Sequence, residues 1–304
     1  MPLNPIRMTD RWIARAARRD PRALAAVADL APTVVVTGAS RGIGRALAAR
    51  FAGAGYDVLM IARGEEDLVA ASDDVRRRAA GRVMTLALDL AAADATARIE
   101  AALASSRAYL DILVNNAAMG LGGPFESAEP EAVERLVALN IAVPTRLIRH
   151  VLPAMKARGR GGILNVASLG GAVPGPYQAA YYASKAYVLS LSEAIAAESA
   201  GSGVRVTAVA PGPVETGFHA DMAADGALYR RLLPSLEPEQ VARSAYRGFM
   251  LGRRVVHPGL VAPVAALAVR ILPHALTVPL VARLLDNRGM AASRRASPAD
   301  GRRG

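Results

Sequence analysis

A doubly wound α/β domain, built on a parallel sheet with helices on both faces and followed by a helical C-terminal extension, is the fold this 304-residue sequence predicts. Two patterns predict it. Apolar runs at 33–37, 57–62, 82–88, 110–115, 161–167 and 203–210 read as buried strands, and helical stretches lie between and after them near 42–54, 65–80, 94–106, 130–157, 179–200 and 237–251. Parallel strands need crossover connections of one hand, so six strand–helix repeats fold into one sheet covered on both sides. Val255-Val256 adds a short last strand. In such sheets ligands sit beyond the C-terminal ends of the strands.

Composition narrows the class. Hydrophobic residues make up 52% of the chain, enough for a large core. The lack of cysteine removes disulfides, thiolate catalysis and cysteine-ligated metals, and fits a reducing cytoplasm. With only four histidines no metal site is expected. The net charge of +11 is concentrated at the ends: residues 1–30 hold six Arg against three Asp, and 287–304 hold five Arg against one Asp. The central body therefore has no dense basic face, and at 4% aromatics no stacking platforms, so nucleic acid is not expected as a partner. Only two of the 37 basic residues are lysines, Lys156 and Lys185.

Four regions follow: a basic segment at 1–31, the α/β domain at 32–257, an apolar extension at 258–286, and an Arg-, Ser-, Ala- and Gly-rich tail at 287–304 with the composition of a disordered segment. The first segment lacks the apolar core of a signal peptide. Trp12, Ile13 and Ala16 lie at helical spacing among arginines, which suits either a basic amphipathic helix on a membrane or an irregular or packed N-terminal helix. The stretch 259–285 is strongly apolar but broken by Arg270, Pro273, His274 and Pro279, too short a run to span a bilayer. It could pack on the core, cover the substrate cleft, form a subunit contact or rest on a membrane surface.

Thr37-Gly38-Ala39-Ser40-Arg41-Gly42-Ile43-Gly44 follows the first strand and opens a helix. Glycines there let the backbone turn tightly and approach a pyrophosphate at the helix N-terminus, the arrangement of a Rossmann-type dinucleotide site. The G-x-x-x-G-x-G spacing resembles that of the short-chain dehydrogenase/reductase family. At the end of the second strand, where an NAD-binding protein usually has an acidic residue for the ribose 2′-hydroxyl, stands Arg63. Arg41 and Arg63 would together grip a 2′-phosphate, so NADP(H) is the expected cofactor; the alternative is that both point to water. The resemblance gives Asp89 the adenine amino group, while a turn or cap role remains open.

Asn115-Asn116-Ala117-Ala118 is similar to the family's N-N-A-G stretch beside the cofactor, with alanine at the last position, harmless if φ there is negative. Ser168 ends the fifth strand, and Tyr181 and Lys185, four apart, share a helix face. A buried ammonium beside a phenol favours phenolate, which suits proton transfer to a carbonyl oxygen. With lysine so scarce, Y-x-x-x-K rarely arises by chance. The resemblance then implies a catalytic set of Asn140, Ser168, Tyr181 and Lys185: Ser168 binding the same oxygen, Lys185 holding the nicotinamide ribose, and Asn140, in a kinked helix, completing a relay through an ordered water. Pro211, Gly212, Val214 and Thr216 resemble the loop around the nicotinamide carboxamide. Tyr182, about 100° around the helix, is expected to pack elsewhere.

Candidate cleft residues are Met119, Leu121, Pro124, Leu169, Pro174, Tyr177, Phe218, Met222, Leu228 and Tyr229, nearly all apolar, with Glu215, His219 and Asp221 as polar exceptions. The expected function is an NADPH-dependent oxidoreductase acting between a carbonyl and a secondary alcohol on a hydrophobic, lipid-, steroid- or acyl-like substrate. The alternatives are an NAD-linked alcohol dehydrogenase and a nucleotide-binding scaffold that uses its basic, apolar ends on a membrane or partner. A homo-oligomer, cytoplasmic with peripheral membrane contact, completes the expectation.

Overall fold

In the computed structural model, residues 20–218 and 234–286 are described. A short helix α1 (Pro21–Ala25) precedes strand β1 (Ala31–Thr37), and the chain then alternates through α2 (Gly42–Gly53), β2 (Asp57–Ala62), α3 (Glu65–Arg76), β3 (Val83–Ala87), α4 (Ala95–Ser105) and β4 (Ala108–Asn115). The second half runs α5 (Pro130–Val137), α6 (Val143–Arg158), β5 (Gly161–Val166), α7 (Ala179–Glu198), β6 (Val204–Val209), α8 (Pro238–Met250) and β7 (Val255–Val256). The extension forms α9 (Val261–Ile271) and α10 (His274–Leu285).

The seven strands are parallel in the order β3-β2-β1-β4-β5-β6-β7. The order reverses direction at β1, so a crevice opens there between the loops after β1 and β4. The sheet is buried on both faces because its strands are apolar at successive positions. Val34 and Val36 enter one layer with Leu47, Phe51, Leu68 and Phe249 from α2, α3 and α8, while Val35 between them enters the opposite layer with Ile99, Leu103, Leu147, Met155 and Ile195 from α4, α6 and α7. All three valines are fully buried.

One predicted helix divides. The stretch expected at 130–157 is interrupted by a wide turn at Ala138–Ala142, where the Val143 amide donates to the carbonyl of Ala138, five residues back. Pro144 explains the change of register: it has no N–H to give the carbonyl of Asn140, four residues earlier, and its ring crowds that carbonyl. Thr145 adds to the bend, its hydroxyl donating to the Ile141 carbonyl at 2.6 Å. The result turns Asn140 inward, where it is buried.

Candidate active site

The loop after β1 is a cradle with two positions that call for glycine. Gly38 and Gly42 both have left-handed backbone, with φ of 64° and 54°. A Cβ on Gly38 would lie 2.8 Å from the Ala117 Cα, and one on Gly42 would lie 2.9 Å from the Thr216 methyl. Thr37 closes the loop from below: its hydroxyl donates to the Val114 carbonyl at 3.1 Å and accepts from the Asn116 and Ala117 amides at 2.9 and 3.1 Å. Asn116 closes it from the side, its Nδ2 reaching the carbonyls of Thr37 and Gly38, both at 2.9 Å. Asn116 thus positions the cradle, and the sequence reading missed Thr37, whose signal is a threonine directly before the glycine turn.

The first turn of α2 has no side-chain cap and no acidic residue, and its N-terminus opens onto the cleft lined by Gly38, Ser40, Arg41, Gly42 and Ile43. Uncapped amides beside glycines that leave room for a ligand fit a pyrophosphate. Gly44 does not line the cleft. It lies behind, where a Cβ would fall 2.2 Å from the Gly38 carbonyl oxygen, so its role is to let α2 approach the loop. Arg63, exposed, and Asp89 continue the cleft wall past β2 and β3. One carboxylate oxygen of the exposed Asp89 accepts from the Ala91 amide at 2.9 Å, a turn role. Opposite, Pro211, Gly212, Val214 and Thr216 line the same cleft, anchored by the Glu215 amide to the Leu236 carbonyl at 2.9 Å.

Ser168, Tyr181 and Lys185 meet deeper in this cleft. Ser168 follows β5 in extended backbone, and its Oγ accepts from the Gly170 amide at 3.1 Å, which keeps its hydrogen for an incoming oxygen. Lys185 is buried, its Nζ 5.7 Å from the centre of the Tyr181 ring and 3.0 Å from the Val166 carbonyl that it binds. Burial pulls its pKa from 10.5 down to about 8. It is still mostly charged at neutral pH, and two of its three N–H donors remain for ligand hydroxyls or the phenolate.

Asn140 stands behind these groups and does not line the cleft. Its Oδ1 accepts from the Met119 amide at 2.9 Å, while its Nδ2 donates to the Met119 carbonyl at 2.8 Å and to Ser184 Oγ at 3.1 Å. Ser184 in turn donates to the Tyr181 carbonyl at 2.6 Å. The amide therefore ties the cleft wall at Met119 to the helix that carries Tyr181 and Lys185. With the amide so engaged, any link from Asn140 toward Lys185 would have to use its main-chain carbonyl.

The cleft holds about 680 Å³. Of the predicted wall residues it includes Met119, Leu169 and Phe218, and not Leu121, Pro124, Pro174 or Tyr177. Leu121 packs beside Leu136 and Tyr181, and Tyr177, at φ 65°, takes the Gly123 amide on its carbonyl at 2.8 Å. Glu215 does not line the cleft either; it faces Glu237, whose carboxyl pKa it raises. His219, Asp221, Met222, Leu228 and Tyr229 lie outside the described residues, as do Trp12, Ile13, Ala16 and the tail 287–304. Tyr182 corrects an expectation: its ring packs against Gly170 and Gly175 and so joins the cleft wall, 6.1 Å from the Tyr181 ring. Ala118 is not among the residues with positive φ, so the alanine causes no strain. Of the placements left open for 259–285, the structure shows it covering the cleft: Ala265, Ala268, Val269, Leu272 and Leu280 among others from α9 and α10 form a roof, and none of them was among the candidate cleft residues.

Comparisons with known proteins agree with this geometry. A family model described as short chain dehydrogenase matches residues 32–226. A short chain dehydrogenase of Pseudocercospora fijiensis is 38% identical over 187 residues, a stretch covering 60% of each chain. Among solved structures, a short-chain dehydrogenase from Sphingobium yanoikuyae in complex with NADPH superposes with a TM-score of 0.69 at 30% identity, covering 90% of this chain and 98% of that one. The bulky-bulky ketone specific alcohol dehydrogenase from Comamonas testosteroni superposes with a TM-score of 0.65 at 27% identity over 89% and 97%. Other solved structures similar to this chain hold NADP or NADH. A family match that begins in β1 and runs past the tyrosine and lysine means that the chain belongs to the short-chain dehydrogenase/reductase family, oxidoreductases that work between alcohols and carbonyls.

Proposed function

We propose that the chain is an NADPH-dependent carbonyl reductase, running in reverse as an alcohol dehydrogenase, whose substrate is an apolar ketone or secondary alcohol. The observation that carries this reading is the cleft itself: Ser168, Tyr181 and Lys185 open into a space whose far walls are Met119, Leu139, Leu169, Val173, Phe218 and the roof from α9 and α10. Such walls gain by excluding water from an apolar ligand, with Arg135 and Gln178 as the polar exceptions among them. At the other end of the cleft, Arg41 and Arg63 suit a 2′-phosphate and would gain little from a 2′-hydroxyl.

When bound, the nicotinamide supplies the hydride that the carbonyl carbon accepts. Tyr181 gives its phenolic proton to the carbonyl oxygen, so the ketone leaves as the alcohol; in the other direction Tyr181 takes that proton back. Ser168 donates to the same oxygen and holds it within reach of Tyr181. Lys185 stabilises the phenolate left behind, at a distance where little water screens it.

A panel of ketones and secondary alcohols, offered with NADPH and NADH in turn and followed by nicotinamide absorbance, tests the reading. Turnover of apolar ketones with NADPH at least about tenfold more efficient than with NADH is expected. Equal efficiency with NADH would overturn the role given to Arg41 and Arg63, and tight cofactor binding without turnover of any carbonyl would favour a nucleotide-binding scaffold.

A further inference from the structure

The extension has two apolar faces. One roofs the cleft through Ala265, Ala268 and Val269 on α9 and Val281 and Leu284 on α10. The other is open: Leu260 is 91% exposed, Val264 69%, Leu267 60%, Ile271 71% and Leu276 63%, and none of these five lines the cleft. Leu272 and Leu280, at 46% and 58% exposure, belong to both faces, so the cleft margin meets the outer surface at these leucines. An exposed apolar patch of this kind marks an interaction surface.

Charge says what it meets. Residues 259–285 contain no acidic residue, and from Arg253 to the C-terminus the chain carries nine Arg against two Asp. Those 52 residues account for seven of the eleven net positive charges. A second copy docked face to face would bring two such basic regions together, whereas an anionic bilayer complements both the charge and the apolar surface. No helix among the described residues is long and apolar enough to cross a membrane, so the fit is to lying on it.

We propose that the outer face of α9 and α10 is a docking surface for an anionic lipid bilayer, which turns the margin of the cleft at Leu272 and Leu280 toward the lipid. The site is independent of which cofactor or carbonyl the enzyme uses, and its test reads binding without turnover. The full chain is sedimented with vesicles of phosphatidylcholine alone or with about a third phosphatidylglycerol. It pellets with the anionic vesicles at low salt and not with the neutral ones, and binding weakens about tenfold or more as salt rises toward molar. The combined substitution Val264→Asp, Leu267→Asp and Ile271→Asp lowers pelleting at least about tenfold while cofactor binding is kept. Because the chain has no cysteine, Ile271→Cys carrying an environment-sensitive dye gives a second readout that does not depend on the triple variant folding. Its emission shifts to the blue with anionic vesicles, and that of a dye on Val69→Cys, exposed on α3, does not. A full chain that stays in the supernatant with anionic vesicles at low salt overturns the proposal, as does a label at 271 that senses no change. Undiminished pelleting of the triple variant would assign binding to the arginine-rich ends instead, and loss of a dimer in that variant with no effect on pelleting would assign the face to a second copy.

Discussion

Replacing Lys185 by methionine should change how the stability of the protein depends on pH, and the size of the change follows from the site. The ammonium is buried with no carboxylate beside it among the described residues, and desolvation brings its pKa from 10.5 to about 8. The sign follows from counting protons. Between pH 8 and 10.5 the unfolded chain still holds the proton that the folded chain has lost, so stability rises with pH across that window and is flat on either side of it. Below pH 8 the folded state bears the whole cost of the buried charge, roughly 3 kcal/mol at 1.36 kcal/mol per pH unit. Lys185→Met keeps the length of the side chain and removes the titration. Urea unfolding of both proteins, without cofactor, at pH 7 and pH 10 should show the wild type gaining roughly 2 to 3 kcal/mol relative to the variant. Tyr56 and Tyr109, whose pKa values burial raises, are common to both chains and cancel in the difference. Identical pH dependence in the two proteins would show that the ammonium is not desolvated, and the electrostatic argument for phenolate at Tyr181 would fall with it.

Three further outcomes are expected. Tyr181→Phe keeps the ring against Phe218 and Tyr182 but removes the transferable proton, so kcat should fall by about 10² to 10⁴ while cofactor affinity measured by fluorescence titration stays within a few-fold. Gly44→Ala puts a methyl group 2.2 Å from the Gly38 carbonyl oxygen and 2.4 Å from Asn116 Nδ2, so it should weaken cofactor binding at least about tenfold and lower stability by about 1–3 kcal/mol, read by titration and by Tm. Arg63→Asp should shift the ratio of NADPH to NADH efficiency toward NADH by about tenfold or more; an unchanged ratio would mean that Arg63 faces water in the complex.

Much of this was legible because strand burial and acid–base spacing are written locally. Val34, Val35 and Val36 announce a strand covered on both faces, and β2 and β7 fall where the apolar runs place them. Tyr181 and Lys185 share a face because four residues are about one helical turn. The wide turn at Asn140 carried a local signal in Pro144 that the reading of 130–157 as one helix passed over, the kink being implied there only by the family resemblance; that the Asn140 amide would clasp Met119 and Ser184 depends on three segments meeting, which no local pattern encodes. Tyr182 shows the same limit. Its position around the helix points away from Tyr181, but Gly170 and Gly175 leave a space beside α7 that the ring fills, and the ring returns to the cleft.

The roof of the cleft was the least legible part, for a physical reason. A helix that is apolar around most of its circumference does not say which of its apolar sides faces the core. In α9 and α10 both sides are used: Ala265, Ala268 and Val269 are turned to the cleft, and Val264, Leu267 and Ile271 to the outside. Small residues on the inner side let α9 lie close over the turn Leu169–Ala172 that follows Ser168, which places an apolar cover directly above the reacting groups. Ser168, Tyr181 and Lys185 come from the domain that the family shares, whereas part of the apolar wall around them comes from this cover. The reacting groups are thus readable from a few spaced residues, whereas part of the cleft wall lies in helices whose sequence, taken alone, reads only as apolar.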